Sequence, residues 1–187
     1  MTMTLRLADG VPEKLNISMN PMPALRAMNE ADYSAWLEYA IPAYAAEKVR
    51  SGNWLQSESL DRACGEFESL LPNGLATENH TLFTILGEPG VPVGALWMAE
   101  SQRLGGPIAY LYNLVVWPEH RRKGYATRAL RALELEVARR GLAGIALHVF
   151  GHNTQAQALY RKLGYETTNI NLFKAVTREH QGAARSE

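Results

Sequence analysis

The stretch Val115-Val116-Trp117-Pro118-Glu119-His120-Arg121-Arg122-Lys123-Gly124-Tyr125-Ala126 runs an apolar segment into a basic, glycine-containing turn and then into helical periodicity. Unpaired N–H groups and a partial positive charge at the first turn of a helix make such a junction an anion site, above all for phosphate. Gly124 lets the backbone approach the anion, because a side chain there would fill its space. Ala126 keeps the next position small, and Arg121, Arg122 and Lys123 add charge beside a site built mainly of backbone donors. Neither the P-loop spacing nor the Rossmann spacing of glycines occurs. Read by itself, the run from Arg121 to Lys123 could equally be a solvated charge cluster. No metal is expected. His148 and His152 lie four apart outside a helix and so share no helical face, and Cys64 is the single cysteine.

The elements that must hold this turn can be read from periodicity. Ala24 to Met28 reads as a short strand, and Asn29, with Asp32 three positions on, reads as the N-cap of a helix reaching toward Ala46, with Trp36, Leu37 and Ala40 on its buried face. A second helix runs from about Glu58 to Leu71, carries Leu60, Ala63, Cys64, Phe67, Leu70 and Leu71 at helical steps, and stops at Pro72-Asn73-Gly74. On this reading Cys64 is core. His80 to Gly87 and Val91 to Ala99 form a hairpin through Glu88-Pro89-Gly90. Ile108 to Val116 is a third strand, continuously apolar at Leu114-Val115-Val116 as in a centrally buried strand. A helix spans Gly124 to Arg140 with Ala126, Ala129, Leu130, Leu133 and Val137 on one face and Gly141 at C′. Gly144 to Phe150 is a strand, Asn153 to Leu163 a helix capped by Asn153 and ended by Gly164, and Tyr165 to Ala175 a last strand.

That order predicts an α/β fold, a mixed sheet with helices on its faces. Residues 1–22 lack apolar periodicity and are expected to be a flexible arm, 23–175 a single domain, and 176–187 a flexible tail. The 187 residues carry 19 Lys plus Arg against 19 Asp plus Glu, so the electrostatic footprint of a nucleic-acid binder is missing and any anion site must be local. With 47% hydrophobic and 20% charged residues, the chain can bury a core. The longest uncharged stretch, Leu104 to Pro118, is too short and too broken by glycine and proline to span a membrane. Charged residues interrupt any apolar leader, and one cysteine excludes a disulfide framework, so a cytoplasmic location is expected.

Two motifs then meet. Arg121-x-x-Gly124-x-Ala126 resembles the acyl-CoA signature of the GCN5-related N-acetyltransferase (GNAT) superfamily. The stretch Leu147-His148-Val149-Phe150-Gly151-His152-Asn153-Thr154-Gln155-Ala156-Gln157-Ala158-Leu159-Tyr160-Arg161-Lys162-Leu163-Gly164-Tyr165 resembles its second signature. Together they cover about residues 80 to 175. The resemblance implies a GNAT-type, mostly antiparallel central sheet flanked by helices and acetyl-CoA as acyl donor. It implies that Arg121, Arg122, Lys123, Gly124, Tyr125, Ala126 and Thr127 hold the pyrophosphate, while the backbone of Leu114, Val115 and Val116 meets the pantetheine arm where strands splay. It also implies a contact from Asn153 to the cofactor, and Tyr160 beside the sulfur.

Transfer to an amine needs a neutral nucleophile, a polarised carbonyl and a proton for the thiolate. Tyr160 is the expected acid, because a phenol stays protonated at neutral pH and can donate to a thiolate, although its periodicity alone would read as packing. The strand Ile108 to Val116 lacks the carboxylate that many members of the superfamily carry there. Glu100, Glu47, Glu78 or water held by Tyr112 and Asn113 stand as alternative bases. His148 reads as structural. The acceptor pocket would draw on Tyr33, Trp36, Tyr39, Tyr44, Trp54 and Glu47, rings that could also simply be core. The expected reaction is acetyl transfer from acetyl-CoA to a primary amine of a small molecule by direct attack in a ternary complex. Alternatives are acetylation of a protein N-terminus or lysine, and a non-catalytic acyl-CoA-binding module. No nucleic-acid or membrane partner is expected; family habit alone would suggest a homodimer.

Overall fold

The computed structural model describes residues 25–103 and 105–176, so the expected arm at 1–22, the start of the first strand at Ala24 and all but the first residue of the expected tail lie outside the described residues. The elements run β1 (Leu25–Ala27), α1 (Glu30–Arg50), α2 (Ser59–Leu70), a short 3-10 turn (Gly74–Ala76), β2 (His80–Leu86), β3 (Pro92–Arg103), β4 (Gly106–Val116), a second 3-10 turn (Pro118–His120), α3 (Tyr125–Arg139), β5 (Ile145–Leu147) and α4 (Thr154–Lys162). The sheet order is β1-β2-β3-β4-β5, antiparallel except for the parallel β4–β5 pair. This is the mixed, mostly antiparallel sheet expected. The chain divides into two compact units, one ending at His152 and the other beginning at Asn153.

Alternation sorts the sheet into two faces. Leu82, Ala95 and Trp97 join Met28, Trp36 and Ala40 of the first helical region with Phe67 and Leu71 in one cluster, in which Trp36 is 0% exposed. Ile85, Leu96 and Met98, also fully buried, point the other way, and α3 lays Ala129, Leu130, Leu133 and Val137 against the sheet at β4 and β1. Burying a tryptophan side chain this completely removes one of the largest apolar surfaces a chain possesses, which makes Trp36 a principal anchor of α1.

The caps follow the expected chemistry. The Asn29 side chain accepts from the Asp32 N–H at 2.8 Å, while the Asp32 carboxylate turns away to Arg26 and to the Thr84 hydroxyl at 2.6 Å. Gly141, at φ +70°, ends α3 in a Schellman motif, with Gly141 N–H donating to Ala138 and Leu142 N–H to Val137. Arg140 then ties that end to Thr81 at 2.9 Å and Glu100 at 3.2 Å.

Four expectations need correction. Helix α1 continues past Ala46 to Arg50, through Pro42, because packing of its apolar face outweighs the one backbone bond a proline removes. Cys64 is half-buried and Leu60 is 52% exposed: of the expected stripe Ala63, Phe67 and Leu71 are buried, joined by Ser59, so the covered face of α2 is narrower than periodicity suggests. Leu114, Val115 and Val116 are half-buried rather than central. Residues 165–175 form no strand: beyond Tyr165 they are exposed, with Leu172 and Phe173 each 92% accessible, because β-propensity yields a strand only where a neighbour completes the ladder.

Candidate active site

Strand β4 carries the site. On one side it pairs with β3 from Arg103↔Gly106 to Gly94↔Val116. On the other it pairs with β5 only from Ala109↔Ile145 to Leu111↔Leu147. Beyond Leu111, β4 therefore has an open edge, and the backbone of Tyr112 to Val116 has no strand beside it among the described residues on that side. The half-exposure of Leu114 to Val116 is the consequence. A bulge sits at the same place: Trp97 faces Asn113 while Met98 faces Leu111, so Tyr112 is the extra residue. The bulge brings Tyr112 and Asn113 to one face. The Asn113 Oδ1 accepts from Trp36 Nε1 at 3.1 Å, and the Tyr112 ring stacks on Trp97 at 4.6 Å.

The chain leaves β4 through Trp117 and the 3-10 turn into residues 121–124. Gly124 is the N-cap of α3, in the left-handed region at φ +81°. It offers no capping side chain, and the first-turn amides of Tyr125, Ala126 and Thr127 find no acceptor among the described residues. A Cβ built on Gly124 would meet nothing within 4 Å, so the space in front of these amides is open. The local geometry is thus a donor cradle of the kind that fits a phosphate oxygen.

The basic residues are arranged less simply than their run of charge suggests. The Arg121 guanidinium donates through Nε to the Val116 carbonyl at 3.1 Å and through Nη2 to the Tyr39 hydroxyl at 2.9 Å. Lys123 Nζ donates to the Glu119 carbonyl at 3.1 Å. Arg122 is exposed and has φ +63°. Arg121 therefore braces the end of β4 against α1, and the Val116 carbonyl is occupied rather than free for a ligand. Arg128, which sequence reasoning missed, lies one turn into α3 with its guanidinium 4.7 Å from the Tyr125 ring and a buried Nε that has no hydrogen-bond partner among the described residues. Its spacing of four from Gly124 was the available signal.

In the second unit, Asn153 caps α4, its Oδ1 accepting from Ala156 N–H at 3.1 Å. Gly164 at φ +86° closes that helix in a second Schellman motif. Tyr160 lies on α4, its ring 5.4 Å from Tyr165, and burial pushes its phenol above the ordinary value of 10. It is protonated at any physiological pH.

Of the expected pocket rings, Trp36 is core, touching Tyr33, Phe67 and Trp97. Tyr39 packs edge-on to Trp117, and Tyr44 meets Trp54 edge-on at 5.6 Å and donates to Glu66 at 2.6 Å. Burial, then the Glu66 hydrogen bond, raise the Tyr44 phenol. Among the expected bases, Glu100 is held by Arg140, Glu78 is exposed, and Glu47 contacts His152 Nε2. His80 accepts from Trp97 Nε1 at 2.9 Å and is kept neutral by burial, which lowers its pKa. The described residues hold no cluster of three or more metal-ligating side chains, and no helix among them is long and apolar enough to cross a membrane.

A model of the acetyltransferase (GNAT) family matches residues 34–165, which reaches upstream of the two motifs into α1. The uncharacterized N-acetyltransferase YycN of Bacillus subtilis is 34% identical over 151 residues, 80% of this chain and 96% of its own. YdgE of the same organism, also an uncharacterized N-acetyltransferase, is 31% identical over 150 residues, again 80% and 96% of the two chains. The crystal structure of YycN superposes with a TM-score of 0.78, covering 83% of this chain and 99% of that one. An aminoglycoside 6'-N-acetyltransferase from Acinetobacter haemolyticus, 20% identical with a TM-score of 0.56 over 83% and 99% of the two chains, shares the fold.

Proposed function

The chain belongs to the GNAT acetyltransferase family, and on that premise we propose that it transfers an acetyl group from acetyl-CoA to a primary amine of a small molecule, by direct attack in a ternary complex. The observation that carries the reading is the junction in which the open edge of β4 runs into the uncapped N-terminus of α3 through Gly124. The residues present fit the donor. Free amides at Tyr125, Ala126 and Thr127 would take the pyrophosphate, with Arg122, Lys123 and Arg128 supplying charge around it. The open backbone of β4 between Tyr112 and Val116 would hydrogen-bond the pantetheine amides as a further strand would. Arg121 would keep that edge in place from behind.

Chemistry then requires little beyond alignment and protons. Holding thioester and amine in one cleft makes the attack effectively unimolecular. Tyr160, held protonated by burial, would supply the proton that the departing thiolate takes up. Asn153, already engaged in capping α4, would help fix the helix that carries it. The small-molecule class draws support from the fold shared with the aminoglycoside acetyltransferase. A reducing cytoplasm suits a chain with one cysteine.

Isothermal titration with acetyl-CoA tests the reading. Wild type should bind in the micromolar range. Gly124→Glu, which puts bulk and negative charge into the cradle at a left-handed position, should abolish binding while leaving circular dichroism unchanged. Equal affinity in the two proteins would overturn the donor-site assignment.

A further inference from the structure

The strand that supplies the base in many relatives has no carboxylate here, and the structure pairs a carboxylate on α1 with an imidazole in the segment that follows β5. β5 ends at Leu147, short of the expected Phe150, and residues 148–150 take no regular structure before a turn at Gly151 and His152; the rings of His148 and Phe150 have centroids 5.3 Å apart, and Phe150 stacks on His152 at 15° and 5.5 Å. His152 Nε2 is in contact with Glu47 Oε2 of α1, the two side chains being 29% and 35% exposed. The other carboxylate oxygen of Glu47 faces Arg50 at 3.6 Å.

Helix α1 spans the gap between the two strands. Trp36 bonds Asn113, and Tyr39 reaches Trp117 and Arg121 on the β4 bank. Two turns further along, about 12 Å at 1.5 Å per residue, Glu47 reaches His152 on the β5 bank. One helix thus meets both β4, at Asn113, and the segment that follows β5, at His152.

Resting on the acetyl-transfer reading, we propose that His152 is the catalytic base for the acceptor amine and that Glu47 is its positioning residue. A carboxylate bonded to one ring nitrogen fixes the proton there and leaves the other nitrogen as acceptor. Nε2–H donates to Glu47, and Nδ1, which makes no hydrogen bond among the described residues, receives the proton. The rival groups are committed elsewhere: Glu100 to Arg140, His80 to Trp97 and Asn113 to Trp36. The charged groups facing the pair are Arg50 on α1 and His148 beyond Phe150, while Lys48 turns its ammonium to the rings of Tyr44 and Trp54.

The protons balance. The acceptor arrives as an ammonium and gives one proton to Nδ1 of His152. The freed lone pair attacks the thioester carbonyl, the C–N bond forms, and the C–S bond breaks. The second nitrogen proton balances the one taken up by the thiolate, and the imidazolium releases the first to solvent.

The test uses the full chain, acetyl-CoA, and a panel of amino acids, polyamines, aminoglycosides and peptides with free N-termini, with free thiol as readout. At neutral pH, His152→Ala should lower kcat on the best acceptor by about 10²-fold or more with acetyl-CoA affinity unchanged. The deficit should shrink as pH approaches about 10, where a growing fraction of an alkyl amine is already neutral, and added imidazole should restore part of the rate. Glu47→Gln should cost about tenfold and follow the same pH trend. A deficit constant with pH and unmoved by imidazole, or none at all, overturns the assignment. A wild type that binds acetyl-CoA yet releases thiol with no acceptor overturns the acetyl-transfer reading itself, and a wild type that does not bind acetyl-CoA overturns its donor site.

Discussion

The two sides of β4 are built to opposite ends. Toward β3 the ladder is continuous from Gly106 to Val116 apart from one bulge, and so close that a Cβ on Gly94 would come 2.1 Å from the Val115 carbonyl. Toward β5 the ladder ends at Leu111. The closed side joins the large aromatic cluster of Trp36, Phe67 and Trp97, and it should carry most of the stability. On the open side the same strand keeps backbone donors and acceptors unspent, which costs stability and leaves them for a ligand. One strand serves both ends because a backbone has two hydrogen-bonding edges and side chains that leave perpendicular to them.

If that division holds, damage to each side should read out in a different assay. The largest effect is expected for Gly124→Glu at the end of the open side, with acetyl-CoA binding abolished in titration and the melting temperature kept. Trp36→Ala should do the reverse, lowering unfolding free energy by about 3–5 kcal/mol in denaturant titration, since it empties a fully buried site and strands Asn113 Oδ1. Comparable losses of binding in both variants would erase the distinction. Tyr160→Phe should lower kcat about 10²-fold with little change in acetyl-CoA affinity, measured by thiol release; an equal kcat would return Tyr160 to packing.

The smallest effect concerns the closed side under acid. The Arg139 hydrogen bond, opposed by desolvation and aided by Arg140, draws the Glu136 carboxyl down from 4.5 to about 2. A depressed folded-state value means that the contribution is complete above the ordinary value and is lost as pH falls through the folded one. Thermal melts of Glu136→Gln should therefore differ from wild type near neutrality and converge between about 4.5 and about 2. Melts that stay equally apart across that window would show that the ion pair does not support this end of α3.

Much of this was legible before any coordinates. The helix ends at Asn29, Gly141, Asn153 and Gly164 were readable because capping is a local matter of one side chain or one left-handed residue. The glycine of the anion turn was readable for the same reason. What escaped was non-local. The bulge at Tyr112 leaves no mark in an apolar strand, yet it decides which residues share a face. The stripe of α2 keeps Ala63, Phe67 and Leu71 but leaves Leu60 in solvent, because the neighbours it packs on, and not periodicity, decide how wide a face is covered. Nor does its charge reveal that Arg121 bonds Val116 and Tyr39, the latter 82 residues away.

The sequence by itself determined the element order from β1 to α4, the caps and the basic glycine turn, since each depends on residues a few positions apart. Only the tertiary structure decided where β4 parts from β5, that Arg121 reaches Tyr39, and that Glu47 meets His152 across 105 residues of chain. Those outcomes depend on which surfaces compete for the same neighbours, and that competition is settled only when the whole fold closes.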